Sequence, residues 1–314
     1  MLKNNYINFN KALNPVLIIY AAIIVVGIVL AIIFGIKLDI NFSGGTRIAY
    51  SYTGTVDTEA VTTTACETLG QTATVTLSSG MNASLQQLII TLPGNSAIPT
   101  ELQDTLTTEL QTDFAGNSFV LSESNSVSPT IAGTFFAKSI AALVIAGALV
   151  VIYVGIRFKN IGGVSAALMA FATLILDCIV AFLACVAFGL PVDSNLVAVI
   201  LTLLGYSLND TIVIYDRVRE NKRLFPAKSL DELVDESINA VKTRNFITTL
   251  TTTLAVITII FVSEIYGLTT LRSFAIPMAF GIVSGCISSM FVSGPLWVKW
   301  KNFSDKRKAA KVKK

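Results

Sequence analysis

Residues 16–36 read VLIIYAAIIVVGIVLAIIFGI and contain no charged side chain. The hydrocarbon core of a bilayer is about 30 Å thick, and a helix needs about 20 apolar residues to cross it. Five further runs meet this requirement with few charges: 135–156, 164–188, 192–216, 246–263 and 271–298. The sequence therefore predicts a polytopic α-helical membrane protein with six transmembrane helices. We interpret the first as a retained anchor rather than a cleaved signal.

The composition agrees with this fold class. Of the 314 residues, 53% are hydrophobic and 14% are charged, whereas a soluble domain carries about 25% charged residues. The chain has no histidine, which excludes Ser-His-Asp and Cys-His catalysis and zinc sites with histidine ligands. We therefore expect a protein that is not an enzyme and that has no cofactor and no metal site.

Lys and Arg are distributed unevenly along the chain. If the N-terminus is cytoplasmic, the cytoplasmic segments are 1–15, 157–163, 217–245 and 299–314, and they hold all but four of the 23 basic residues. Cytoplasmic loops are enriched in Lys and Arg, so we expect both termini in the cytoplasm. The bilayer and its anionic lipids account for this charge, and a nucleic-acid partner is not indicated.

The cytoplasmic segments 217–245 and 299–314 have different patterns. The first contains a capping box, Ser229 with Glu232, followed by an apolar stripe opposite acidic residues. It predicts an amphipathic surface helix that lies beneath the spans. The second is a basic tail.

Residues 37–134 are predicted to form one extracytoplasmic α+β domain between the first two spans. Their patterns predict strand, helix, strand, strand, helix and strand, at 47–52, 57–69, 71–77, 84–92, 99–114 and 118–124. This order is the ferredoxin-like pattern. Gly44 and Gly45 are assigned to a tight backbone turn where the first span meets the domain.

Ionisable side chains inside apolar spans are costly, and each one is a functional hypothesis. Asp210 lies in the fourth span and Arg244 precedes the fifth, with Thr248, Thr251 and Thr252 on the same helical face as Arg244. If these spans are neighbours, Arg244 approaches Asp210 along a strip of hydroxyls. Two interpretations stay open on spacing alone: a proton relay, or a fixed ion pair that holds two helices together.

Further polar side chains accompany this pair. Asp177 lies near the middle of the third span, where we favour a hydrogen bond between helices. Ser207 shares a helical face with Asp210, and Ser207, Asn209 and Asp177 are added to the supporting polar lane. Gly281 and Gly285 form a GxxxG pattern, which predicts close helix packing.

Residues 205–221, GYSLNDTIVIYDRVREN, resemble the fourth-span signature of the SecF branch of the SecD/SecF family, in the resistance-nodulation-division superfamily. Shorter segments are similar to the same family in the same order: Ser126–Pro129, Phe188–Leu190, Thr243-Arg244 and Gly285–Pro295. Two positions depart from the family pattern, because Asn41 stands where an Asp is usual and Leu176 where a His is common.

The resemblance implies a subunit of the bacterial inner membrane that uses the proton gradient for protein export. The implied partners are SecD, the SecYEG channel, YajC and the unfolded secreted polypeptide. The resemblance also implies that Asp210 is the proton-linked carboxyl and Arg244 its partner, which favours the relay. Asp177 corresponds to the family's acid in the third span.

Two other functions are weighed against this one. A small-solute exporter of the same superfamily generally has two repeats in one longer chain and larger outside domains. A non-transducing assembly factor would use Asp210 and Arg244 only to hold helices together, so exchanging the two residues would preserve its function.

Overall fold

The computed structural model describes residues 6–79, 86–93 and 98–312. The helices are α1 (Phe9–Phe34), α2 (Ile40–Ser43), α3 (Thr58–Leu69), α4 (Thr100–Asp113), α5 (Pro129–Arg157), α6 (Gly163–Ala187), α7 (Ser194–Leu224), α8 (Leu230–Tyr266), α9 (Thr269–Ser288) and α10 (Gly294–Val312). The strands are β1 (Gly45–Tyr52), β2 (Thr74–Ser79), β3 (Gln86–Pro93) and β4 (Val120–Val127). A 3-10 segment, Lys159–Ile161, joins α5 to α6, and a π-helical turn, Ser289–Ser293, joins α9 to α10.

Six helical segments in the described part of the chain are long and apolar enough to cross a membrane. They are α1, α5, α6, α7, α8 and the stretch Thr269–Arg307, which includes α9. This result confirms the six predicted spans. The buried side chains of the bundle come mainly from α6, α7 and α9, whereas α1, α5 and α8 leave most of their apolar surface exposed. Such surface is available to lipid or to partner helices.

Several helix boundaries correct the sequence prediction. α5 begins at Pro129 rather than at residue 135, and α7 continues to Leu224 rather than ending at residue 216. α1 begins at Phe9 rather than at residue 16, and Asn8 caps it by accepting a 2.9 Å hydrogen bond from the Lys11 backbone N–H. The predicted surface helix and the fifth span form one continuous helix, α8, so no separate surface helix lies beneath the spans. The predicted tail 299–314 continues as α10. Residues 1–5 and 313–314 of the predicted terminal segments lie outside the described residues.

The continuity of α8 has a simple local cause. Residues 230–266 contain neither Gly nor Pro, so nothing interrupts the helical hydrogen bonds where the polar segment meets the apolar one. The predicted capping box is present at its start, with Ser229 and Glu232 bonded to each other's backbone N–H. The helix ends at Gly267, which adopts a left-handed conformation.

The sheet domain follows α1 in the chain and precedes α5. β1 pairs with β3 and β4, and β3 pairs with β2, all antiparallel, which gives the order β2-β3-β1-β4. Alternate side chains of the central strands point toward α3 and α4 and form the core of the domain. Buried members of this core are Ile48, Tyr50, Val61, Ala65, Leu88, Ile90, Leu106, Leu110 and Phe119.

The predicted strands and helices of this domain occur in the predicted order. Asp57 caps α3 by accepting a hydrogen bond of 3.0 Å from the Glu59 N–H. β2 begins at Thr74 rather than at residue 71, and β4 spans Val120–Val127 rather than 118–124, because pairing with the neighbouring strand decides where a strand ends. The predicted start of the third strand, Ser84, lies outside the described residues, and its predicted end at Leu92 is one residue before the end of β3 at Pro93.

The junction between the bundle and the sheet domain contains the predicted glycine turn. Gly44 and Gly45 have φ values of 74° and 130°. A Cβ on Gly44 would lie 2.9 Å from the Cα of Pro129, the first residue of α5. The backbones of Gly44 and Pro129 approach closely, so the chain enters and leaves the sheet domain at one point, at the start of α5.

The same junction is tied to the loop between α6 and α7. The Val192 N–H donates to the Lys37 carbonyl at 2.8 Å, and the Asp39 N–H donates to the Val192 carbonyl at 3.2 Å. Leu38 and Val192 therefore form a parallel bridge. This contact connects the base of the sheet domain with the two helices that hold Asp177 and Asp210.

Candidate functional site

Asp177 lies at the centre of the helix bundle with a relative exposure of 0%. Three serine hydroxyls donate to its carboxyl group. Ser284 on α9 bonds Oδ1 at 2.7 Å, while Ser207 on α7 and Ser288 on α9 bond Oδ2 at 2.7 and 3.0 Å. The carboxyl therefore joins α6, α7 and α9, as the sequence interpretation of a bond between helices predicted.

Tyr20 extends this network to α1. Its hydroxyl donates to the Ser284 carbonyl at 3.0 Å and lies 3.0 Å from the Ser284 Oγ. Tyr20 is buried, so the hydrogen bonds replace contact with solvent. Four helices thus meet at one polar cluster, which we call the serine cluster: Tyr20, Asp177, Ser207, Ser284 and Ser288.

Two glycines of α9 allow α7 to approach the serine cluster. A Cβ on Gly281 would lie 2.3 Å from a methyl carbon of Leu203, and one on Gly285 would lie 3.0 Å from both the Cβ and the Oγ of Ser207. The close packing predicted from the GxxxG pattern is confirmed. Because α7 and α9 are in direct contact here, Ser207 is within reach of Asp177.

Asp210 lies one helical turn after Ser207 on α7. Its exposure is 4%, and its Oδ2 atom is buried without a hydrogen-bond partner in the described part of the chain. A buried polar atom that lacks a partner is uncommon and requires a reason. Asp210 is therefore a different kind of carboxyl from Asp177, which accepts three hydrogen bonds.

Arg244 does not form the predicted contact with Asp210. Within the described residues, no ion pair joins the two side chains. Arg244 is exposed and lines a cleft between the last turns of α7 and the first half of α8, while its positive charge still acts on Asp210 through space. The fixed pair proposed as one interpretation of the spacing is not formed in this conformation.

Asp177 and Ser207 of the predicted polar lane are buried and bonded to each other, but three other members lie on exposed faces of α7 and α8. Thr248 and Thr251 are exposed, and their hydroxyls donate to carbonyls of their own helix, Arg244 and Ile247 respectively. Asn209 is also exposed. The Tyr206 hydroxyl of α7 reaches this face of α8, where it lies 3.1 Å from the Thr252 Oγ1 and 3.3 Å from the Thr248 carbonyl oxygen.

Asn245 and Thr249 occupy the face of α8 that the sequence prediction missed. Both are buried, and Asn245 Nδ2 and Thr249 Oγ1 have no hydrogen-bond partner in the described part of the chain. Thr249 and Asp210 are both neighbours of Cys286 on α9. The buried polar face is thus shifted by one residue from the predicted one. The spacing of Asn245, Thr249 and the buried Val256 along α8 is the pattern that would have identified it.

Ser288 directly precedes the π-helical turn Ser289–Ser293. π-helical turns within α-helices frequently occur at functional sites. Here Ser293 lies 2.9 Å from the Tyr215 hydroxyl of α7. The serine before the irregular turn therefore bonds Asp177 on α6, and the serine at its end contacts Tyr215 on α7.

Comparison with known proteins gives the family context. A family model described as "Protein export membrane protein SecD/SecF, C-terminal" matches residues 106–303. The protein translocase subunit SecF of Alicyclobacillus acidocaldarius is 30% identical over 298 residues, which cover 91% of this chain and 90% of that protein. The protein translocase subunit SecF of Sebaldella termitidis is 32% identical over 283 residues, with 88% and 86% coverage.

Longer proteins contain the same region. The translocase subunit SecDF of Bacillus subtilis is 30% identical over 296 residues, but this chain spans only 37% of its length. The crystal structure of SecDF from Thermus thermophilus superposes with a TM-score of 0.82 at 26% identity, covering 96% of this chain and 40% of that one. A structure of SecDF in a super-membrane-facing form gives a TM-score of 0.65 at 28% identity, with coverage of 98% and 40%.

Proposed function

The chain belongs to the SecD/SecF family of protein export membrane proteins, and from this premise we propose that it couples the proton gradient to export through Asp210. Its role in Sec protein export follows from its SecF relatives. The proton-linked step is our own proposal. It makes the chain a transporter subunit rather than an enzyme.

The observation that supports this proposal most strongly is the state of Asp210. Its carboxyl is buried, one of its oxygens has no partner in the described part of the chain, and Arg244 stands apart from it. A group that only holds two helices together would be expected in a closed ion pair. A group that takes up and releases a proton needs a free oxygen and a cation that can approach and withdraw.

The serine cluster supplies a mechanical connection for this step. Ser207 and Asp210 are on consecutive turns of α7, and Ser207 is bonded to Asp177 on α6. We propose that uptake of a proton by Asp210 weakens its attraction to Arg244 and lets α7 move relative to α8. The junction at Val192 then transmits the movement to the sheet domain. One proton crossing the membrane supplies about 2.3 kcal/mol per 100 mV, so several crossings are needed for a useful stroke.

A SecD partner accounts for exposed polar groups on the bundle. SecDF relatives carry SecF-like and SecD-like parts in one protein, which indicates partnership with SecD in the translocase. In the single chain, Asn209 on α7 and Thr248 and Thr251 on α8 are exposed in apolar spans. Polar groups at membrane depth face protein or water rather than lipid. We propose that SecD covers this surface and that SecYEG, YajC and the unfolded secreted chain join the assembly.

The orientation and the sheet domain belong to the same proposal. We assign the domain to the ferredoxin-like class from its order β2-β3-β1-β4 with two helices on one face. We place it outside the membrane, and both termini in the cytoplasm of a bacterial cell, because the basic residues are concentrated at the opposite ends of the spans.

The test is the variant Asp210→Asn, expressed together with the SecD partner and assayed in inverted membrane vesicles. The amide keeps the shape of the carboxyl but cannot exchange the proton. We expect the part of export that an uncoupler removes from the wild type to be missing, while co-purification with SecD is unchanged. The matched control is Glu264→Gln, which alters a surface acid paired with Arg272.

Two outcomes would refute the relay. One is uncoupler-sensitive export at the wild-type level in Asp210→Asn. The other is normal export by the exchanged double variant Asp210→Arg with Arg244→Asp, since only a structural pair tolerates exchange. Transport of a small solute by the purified complex in the absence of a polypeptide would favour the exporter alternative.

A further inference from the structure

A cleft of about 830 Å³ opens where the last turns of α7 and the first half of α8 meet the 3-10 segment between α5 and α6. Its lining is strongly asymmetric in charge. Five cationic side chains face two carboxylates, Asp216 and Glu220. The cationic residues are Arg217, Arg219, Lys222, Arg223 and Arg244.

Ion pairs engage only part of this charge. Asp216 binds Arg219 at 2.9 Å and also Arg157 at 3.2 Å, and Glu220 binds Arg217 at 2.7 Å. These contacts neutralise the two carboxylates and fix the wall of the cleft. Lys222, Arg223 and Arg244 form no ion pair within the described residues.

One side chain of the wall has an unused donor. Arg217 directs Nη1 to Glu220, but its Nε–H is buried without a hydrogen-bond partner in the part of the chain that the structure describes. A guanidinium has five N–H donors arranged for planar oxygen ligands such as phosphate. The cleft therefore offers positive charge that no ion pair engages, and its wall holds one buried donor that is not used.

The cleft also has an apolar part, formed by Ile161, Val213 and Val241. Val213 and Lys222 are nine residues apart on α7, or about 14 Å along the helix axis. The lining thus changes from apolar to cationic over a length that includes the headgroup layer of a bilayer. Immediately after Arg244, α8 exposes Phe246 at 59% and Ile247 at 53%, so an apolar outer surface begins on α8 within three residues of the cleft lining.

We propose that this cleft binds an anionic phospholipid, with the phosphate group at Lys222, Arg223 and Arg244 and the start of the acyl chains along Val213, toward the exposed Phe246 and Ile247. Basic pockets between transmembrane helices are suited to such headgroups. An acidic peptide or a nucleic acid would not need an apolar wall at membrane depth. The site shares Arg244 with the proton step proposed for Asp210, but Lys222 and Arg223 take no part in that step, so a variant of these two residues tests lipid binding separately.

The test uses the full chain, purified in detergent and analysed by native mass spectrometry with phosphatidylglycerol or phosphatidylcholine. The cleft variant is Lys222→Gln with Arg223→Gln. The matched control, Lys306→Gln with Arg307→Gln, removes the same charge from the exposed end of α10. We expect the wild type and the control to retain phosphatidylglycerol in preference to phosphatidylcholine, and the cleft variant to bind it about tenfold less well.

A second measurement does not depend on a variant. A photoactivatable phosphatidylglycerol should label the wild-type chain within residues 213–244, and neither inorganic phosphate nor glycerol phosphate should compete at equal concentration. Equal loss of lipid from both variants, equal binding of phosphatidylcholine, or labelling confined to α10 would overturn the proposal. Competition by free phosphate would show an anion site instead, and displacement of the label by the SecD partner would show a protein interface.

Discussion

Ser207 on α7 donates a hydrogen bond of 2.7 Å to Asp177 on α6. Ser207 itself lies three residues before Asp210 on α7. The two acids are therefore linked through a single helical turn. Rotation of α7 that changes the surroundings of Asp210 must also carry or break the bond between Ser207 and Asp177. In the proposed proton step, the buried acid with three hydrogen bonds is the fixed point, and the acid with an unpartnered oxygen is the one that changes its charge.

The first prediction concerns the stability of the serine cluster. Ser284→Ala removes one of the three donors to Asp177 and the oxygen next to the Tyr20 hydroxyl. We expect the free energy of unfolding to fall by about 1–3 kcal/mol, because a buried carboxyl loses a hydrogen bond. Thermal or denaturant unfolding of the purified chain measures it.

The matched control for this prediction is Ser139→Ala on α5. Its hydroxyl is exposed and donates only to the Phe135 carbonyl of its own helix. We expect little change from this substitution. A double-mutant cycle of Ser284→Ala with Tyr20→Phe should show coupling between the two residues, and strictly additive losses would contradict the network.

The second prediction concerns the contact between α7 and α9. Gly285→Val places a branched side chain against Ser207, whose Cβ and Oγ already lie 3.0 Å from the position of a Cβ. We expect a loss of about 1–3 kcal/mol from overpacking, together with impaired export. Gly205→Val is the control, since no atom lies within 4 Å of the corresponding Cβ position in the single chain. Equal destabilisation by both variants would show that helix propensity, and not packing, is responsible.

The third prediction tests the buried face of α8. Thr249→Val replaces a buried hydroxyl that has no nitrogen or oxygen partner in the described part of the chain and lies beside the weakly bonding Cys286 thiol, so stability should change by no more than about 0.5 kcal/mol. If this hydroxyl orders water beside Asp210, uncoupler-sensitive export should nevertheless fall severalfold. Thr251→Val, on the exposed face, should leave export unchanged in vesicles. If Thr251→Val lowered uncoupler-sensitive export more than Thr249→Val, the functional polar face of α8 would be the one predicted from the sequence.

The fourth prediction tests the orientation. All four cysteines are first replaced by alanine: Cys66, Cys178, Cys185 and Cys286. Two separate variants of this protein then carry one cysteine each, Thr105→Cys on α4 or Ser304→Cys on α10. The cells are treated so that a membrane-impermeant maleimide reaches the outer face of an intact cell membrane. The reagent should label the cysteine on α4 and not the one on α10. Labelling of α10 in sealed cells would reverse the proposed topology.

The number of membrane spans and the order of elements in the sheet domain could be derived from the sequence. Both depend on local patterns, namely the length of an apolar run and the period of alternation, which each segment carries in itself. Asp57 as the cap of α3 and Ser229 with Glu232 as the capping box of α8 are further examples. Asp177 and Asp210 were identified in the same way, because a carboxyl is conspicuous in an apolar run.

Only the tertiary structure decided which polar atoms meet. The sequence placed Thr248 and Thr251 beside Asp210, but packing turns Asn245 and Thr249 inward and leaves Arg244 in the cleft. A rotation of about 100° per residue separates neighbouring faces of a helix, and that rotation depends on the contacts of α8 with α7 and α9. Ser284 bonds both Tyr20, which is 264 positions away in the chain, and Asp177, which is 107 positions away. No local pattern encodes such distances, because they arise only when separate helices bury their surfaces against one another.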